Sequence, residues 1–221
     1  MLCKTKAIAA LLAAAAIGGG AQAATDPVGD FLATFTGAQA ASLDFTSAEA
    51  RFDGTKFDLK LTLAGSAAGA PAGQLWVWGV NRGAGTPRLN ELFDPDIEPV
   101  KWDALAVLAP NGALSVVALQ PAGPPAFTFI PGGAVIDGNS ITASVPLSLW
   151  GSRGYAPISY TFQLWSRLRT NPAMDGPNDE IADFGPRVFA AVPEPASWAM
   201  MIAGFACAGA AARRRRRAAF A

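Results

Sequence analysis

The chain has 221 residues, and its 17 Lys and Arg balance 17 Asp and Glu to give no formal net charge. It has no histidine, and its two cysteines, Cys3 and Cys207, stand near the two ends. That composition excludes Ser-His-Asp hydrolysis, Cys-His proteolysis, His-ligated haem and the common zinc sites.

In chain order, the first element reads as a secretory signal peptide over residues 1–23. Lys4 and Lys6 form a positive n-region, residues 7–17 an apolar h-region, and Ala21-Gln22-Ala23 a small-x-small site that places signal-peptidase cleavage before Ala24. The apolar run is too short to span a bilayer, and Gly18-Gly19-Gly20 interrupts it. Cys3 precedes the apolar core, so it does not read as a lipoprotein acylation site.

Residues 24–192 form the second segment, long enough for one domain with a sizeable core. They carry 10 Lys and Arg against 16 Asp and Glu, a net charge of −6 that the leader and tail conceal. Such an acidic domain is a poor nucleic-acid binder, because phosphate affinity needs clustered Lys and Arg. Lys56-Phe57-Asp58-Leu59-Lys60-Leu61-Thr62-Leu63 alternates polar and apolar residues, the signature of a half-buried strand. Phe57, Leu59, Leu61 and Leu63 are its expected core face. Ala48, Ala50 and Phe52 alternate likewise just before it, so the two runs read as a hairpin closed by Asp53-Gly54-Thr55. Further strands are predicted at 74–81, 102–108, 114–119, 127–130, 140–145 and 159–165, with one short helix at 146–150. Closely spaced strands without helical periodicity predict an all-β fold, a single two-sheet sandwich or jelly roll.

The acidic turns have two readings. Asp26-Pro27-Val28-Gly29-Asp30, Asp94 and Asp96, and the group Asp175, Asn178, Asp179 and Asp183 offer the hard oxygen ligands that calcium prefers. Asp and Asn also cap turns with their own side chains. If Asp26, Asp30 and Asp183 converge from the two ends of the domain, they repel one another unless hydrogen-bonded, protonated or bridged by calcium. The tryptophans also have two readings: Trp76 and Trp78 share a strand face expected to fill the core, the alternative being an exposed pair that stacks on sugar rings.

The last element, residues 193–221, reads as a membrane tail. Pro193-Glu194-Pro195 precedes an apolar run over 196–212, which ends in Arg213, Arg214, Arg215, Arg216 and Arg217. As a helix that run is roughly 25 Å long, just enough for a ~30 Å hydrocarbon core if Trp198 and the arginine stems reach the interfaces. The positive-inside rule leaves the arginines cytoplasmic and puts everything before Pro193 on the far side. The two prolines hold Glu194 in an extended segment that suits a processing enzyme's groove.

This order of Pro-Glu-Pro, Trp-Ala-Met-Met, apolar helix and arginines resembles the PEP-CTERM sorting signal. The resemblance implies export, recognition by an exosortase, transient anchoring in the membrane and release to the cell surface. The Asp26–Asp30 turn and Leu43-Asp44 before a hairpin are similar to secreted sandwiches of the DOMON and carbohydrate-binding-module kind. Together these imply a non-catalytic surface or matrix protein associated with exopolysaccharide and biofilm. The alternative is a carbohydrate-binding module, calcium-assisted or not, and a small glycosidase built on paired carboxylates stands third.

Overall fold

The computed structural model describes residues 23–89, 100–169, 180–191, 202–206 and 209. It divides into two compact units, residues 21–193 and the two chain ends, 1–20 with 194–221. In the terminal unit, residues 202–206 and 209 are helical and exposed. No helix among the described residues is long and apolar enough to cross a membrane.

The larger unit is mostly β. Its strands are β1 (Ala24–Thr25), β2 (Phe45–Phe52), β3 (Lys56–Leu63), β4 (Gln74–Asn81), β5 (Thr86–Arg88), β6 (Val100–Trp102) and β7 (Ala104–Leu108). They continue with β8 (Leu114–Ala118), β9 (Ala126–Ile130), β10 (Ala134–Asp137), β11 (Ser140–Pro146), β12 (Thr161–Leu168), β13 (Ile181–Phe184) and β14 (Val188–Phe189). One open antiparallel sheet runs β1-β2-β3-β11-β10. The other runs β13-β12-β4-β7-β8-β9, with β14 also paired to β12, and β5 and β6 form a small ribbon apart.

The β2–β3 hairpin forms where alternation predicts it, in the register Phe52↔Phe57 to Phe45↔Leu63. Gly54 takes φ +101°, a conformation that glycine adopts without strain, and Asp53 Oδ1 accepts from the N–H groups of Thr55 and Lys56. Phe57, Leu59, Leu61 and Leu63 are buried, while Lys60 between them is exposed. Residues from both sheets enter one apolar cluster. Phe57 of the five-stranded sheet stacks on Tyr160 at 5.2 Å and meets Phe162 at 5.6 Å and Trp150 at 5.8 Å. The Tyr160 hydroxyl donates to Trp150 O at 2.9 Å, so this aromatic centre buries its phenol without leaving it unpaired.

Some elements differ in detail from expectation, and one open reading is decided. Residues 147–149 form one turn of 3-10 helix rather than a longer helix. The strand expected at 159–165 starts at Thr161 and runs to Leu168, because Pro157–Ser159 is itself a 3-10 turn. Trp76 and Trp78 lie in the shared core at 0% and 1% exposure, so neither offers a ring to a sugar. Burial of indole in the core decides between the two readings of that strand.

Candidate metal centre

Asp26 directly follows β1. Its N–H donates to Thr46 O at 3.0 Å, which adds a rung to the pairing of Ala24 with Ala48 and Thr25 with Ser47. The chain then turns through Gly29, at φ +84°, and the Gly29 N–H donates to Asp44 Oδ2 at 2.8 Å. The same segment is tied to β13 by Leu32 N–H, which donates to Ala182 O at 2.9 Å. Asp44 immediately precedes β2.

Asp183 comes from the other sheet. It pairs with Ser166 of β12, which pairs in turn with Trp76 of β4, so the Asp183 side chain lies on the core-facing side. Its Oδ2 accepts from Phe45 N–H at 2.9 Å, a bond between residues 138 apart in sequence that joins the start of β2 to β13. Both strands are irregular here: pairing shifts between Phe45 and Ser47 in β2, and between Ser166 and Arg167 in β12. Such bulges re-aim side chains, and these two adjoin the acids they would redirect.

The result is a knot of like charge. One carboxylate oxygen from each of Asp26, Asp30 and Asp183 lies within 4.8 Å of the others. Asp30 is exposed and Asp26 half-buried, whereas Asp183 and Asp44 are only 2% and 3% exposed. Burial first, then the charges of Asp183, Asp30 and Asp44, push the Asp26 carboxyl up to about 8. Burial likewise pushes Asp183 up to about 7, opposed by the N–H groups of Phe45 and Phe184 and reinforced by Asp30 and Asp44. Asp44 is raised by burial and Asp30, against the Gly29 N–H. Asp26 Oδ2, Asp44 Oδ1 and the Ser166 hydroxyl are buried without a hydrogen-bond partner among the described residues.

Chemically, such a knot takes up protons or a hard cation. The structure thus brings together Asp26, Asp30 and Asp183, as the sequence reading required, and adds Asp44. Asp44 sits 15 residues from its Gly29 donor, and no local motif announces that partnership. Asp94, Asp96, Asp175, Asn178 and Asp179 lie outside the described residues, as do Ala21, Pro193, Glu194, Pro195, Trp198 and Arg213–Arg217. Ala23 is described and exposed.

The domain is stitched shut where the tail begins. Ala191 bridges Arg51 in parallel, accepts from Phe52 N–H at 2.9 Å and donates to Ala50 O at 2.9 Å. Residues 191–217, starting at that same alanine, match the family model of the PEP-CTERM protein-sorting motif. The chain carries a PEP-CTERM sorting motif. Pro193, Glu194, Pro195, Trp198 and the five arginines all fall within the matched stretch. The motif marks a protein that is exported, processed by an exosortase and sorted to the cell surface. No curated protein matches the chain.

Proposed function

We propose that the β domain is the non-catalytic cargo of a PEP-CTERM tail: a cell-surface or matrix protein delivered to the exopolysaccharide layer of a biofilm. The sorting motif at residues 191–217 carries this reading. The composition supports it, since residues 24–192 contain neither histidine nor cysteine. In this reading signal peptidase cuts after Ala23, the apolar run holds the chain in the inner membrane, and exosortase cuts near Pro193-Glu194-Pro195.

Mass spectrometry of the surface form from an exosortase-bearing host tests the processing. The expected product starts at Ala24 and lacks Arg213–Arg217, and Glu194→Ala keeps export but blocks the second cut. A surface form that retains the arginines overturns it.

One observation favours carbohydrate binding as a second reading. The outer face of the five-stranded sheet is a shallow groove lined by Glu49, Arg51, Asp58, Lys60, Thr142 and Ser144. Alternating acids, bases and hydroxyls on a strand surface suit the hydroxyls of a glycan chain. Binding on a glycan array that is lost in Lys60→Ala would establish the module reading. Turnover of a chromogenic glycoside would instead restore the glycosidase.

A further inference from the structure

The four acids of the knot come from three separated stretches of chain and from both sheets. Asp26 and Asp30 flank the first turn of the domain, Asp44 opens β2, and Asp183 sits on β13, eight residues before the matched sorting motif. Acids that meet this way raise one another's charging cost, and alone they would mark only a destabilised corner. The decisive second feature is Asp44: almost wholly buried, held by Gly29 N–H through Oδ2, and left with a buried Oδ1 that no donor among the described residues meets. The buried Oδ2 of Asp26 is also without a donor among the described residues. A carboxylate oxygen taken out of water and offered no hydrogen bond is costly unless something else meets it.

We propose that Asp26, Asp30, Asp44 and Asp183 bind one calcium ion, which fastens the first turn of the exported domain to β13, eight residues before the sorting motif. Every donor is a hard oxygen, and no nitrogen or sulfur ligand is on offer, which disfavours zinc and copper. Size separates the remaining candidates. Calcium–oxygen bonds of about 2.3–2.6 Å let ligands of one ion lie up to roughly 5 Å apart, which accommodates the oxygens of Asp26, Asp30 and Asp183, all within 4.8 Å of one another, with Asp44 as the fourth acid beside them. Magnesium holds its ligands at about 2.0–2.1 Å in near-octahedral geometry and sheds its own water reluctantly, so it suits a cage of protein carboxylates less well. A dication removes half of the knot's charge, and the N–H groups of Gly29, Phe45 and Phe184 already oppose the remainder. The ion would join the two sheets at the edge where β1 and β13 are the outermost strands. This assignment does not depend on which surface layer receives the protein.

The test is calorimetric and thermal, on the full chain purified in detergent and stripped with chelator. Titration with calcium chloride should show one ion per chain, and millimolar calcium should raise the melting temperature by several degrees, since only the folded state assembles the site. Magnesium chloride at the same concentration should give a markedly smaller rise. Asp183→Asn and Asp44→Asn should each weaken calcium binding at least tenfold. Asp30→Asn keeps the assay decisive if those buried variants misfold: its side chain is exposed, so the chain should fold and bind calcium several-fold more weakly. Absence of calcium binding at millimolar concentration overturns the proposal, as does binding that Asp30→Asn leaves unchanged or a magnesium effect equal to that of calcium.

Discussion

Two buried ionic sites in this domain are built on opposite plans. At one, Arg82 and Asp103 are each 2% exposed, and the Arg82 Nε donates to Asp103 Oδ1 at 3.0 Å. Every other arm of that guanidinium is met by a carbonyl: Gly151 O at 3.1 Å, and Asp103 O and Leu119 O at 2.9 Å each. Asp103 in turn accepts from the backbone N–H groups of Arg82 and Ala84. At the other site, oxygens of Asp26, Asp30 and Asp183 lie within 4.8 Å of one another, Asp44 adds its charge to theirs, and backbone N–H groups of Gly29 and Phe45 donate to Asp44 and Asp183. The first site is complete as it stands, and the second has a charge deficit that a cation would fill. The contrast teaches that buried charge is informative through its pairing: the paired site is scaffold, and the unpaired one points to a ligand.

The largest effect should come from making a third kind of site, a single buried carboxylate with neither partner nor cation. Leu61 is 1% exposed in the middle of the hairpin core. Leu61→Asp should unfold the domain, because a lone buried charge costs several kcal/mol against a typical reserve of about 5–15 kcal/mol. Lys60→Asp, one residue away on the wet face, should shift the melting curve only slightly. Equal damage from both, read by circular dichroism, would show that the strand register is not the one described.

Next in size is the paired site. Arg82→Met leaves the charge of Asp103 buried and uncompensated and takes the Arg82 donor from Gly151 O, while Leu119 O keeps Arg153 and Asp103 O keeps the Leu119 N–H, so denaturant unfolding should report a loss of about 3–5 kcal/mol. Adding Asp103→Leu should recover part of that loss, since it removes the stranded charge. If the double variant is less stable than Arg82→Met alone, the pair contributes more than mutual neutralisation.

How much of this contrast is legible in the sequence follows from distance along the chain. The β2–β3 hairpin is readable because alternation and the Asp-Gly turn are local, and β4 falls at 74–81 as expected for the same reason. β10, β13 and β14 are not anticipated: they are four, four and two residues long, and their pairing supplies what pattern does not. β5 and β6 are three residues each, and β5 contains Pro87. Three of the four knot acids are named because the termini of a two-layered domain meet. Asp44 and the Arg82–Asp103 pair escape, since partners 15 and 21 residues away leave no periodic trace. Trp76 and Trp78 show the converse: the residue type is visible, but only packing shows that both are core.

A moderate effect separates the two sites by pH. In the calcium-free folded protein, Asp26 and Asp183 hold their protons up to about 8 and about 7, against 3.8 for an ordinary aspartate. A carboxyl whose folded value is raised binds its proton more tightly when folded. Its contribution to stability is therefore complete below about pH 4 and is lost as pH climbs through the raised values. With chelator present, the melting temperature should fall steadily between pH 5 and 8. Millimolar calcium should flatten that decline, because the cation replaces the protons. A melting temperature that rises over the same interval in chelator would contradict the like-charge description of the knot.

The smallest effect carries the sharpest sign. Removing charge from the paired site must destabilise, whereas removing one charge from the knot relieves repulsion. Asp30 is the acid to change, because it is exposed and its loss strips no backbone donor of its acceptor. In chelator, Asp30→Asn should match or exceed the parent in stability, by up to about 1 kcal/mol as for other partly screened charge pairs. In millimolar calcium the order should reverse, since the variant has lost a ligand while the parent gains the full binding energy of the ion. Two thermal melts of each protein, with and without calcium, decide it. A variant less stable than the parent under both conditions would mean that Asp30 makes an attractive contact, and the two ionic sites would then be alike in kind.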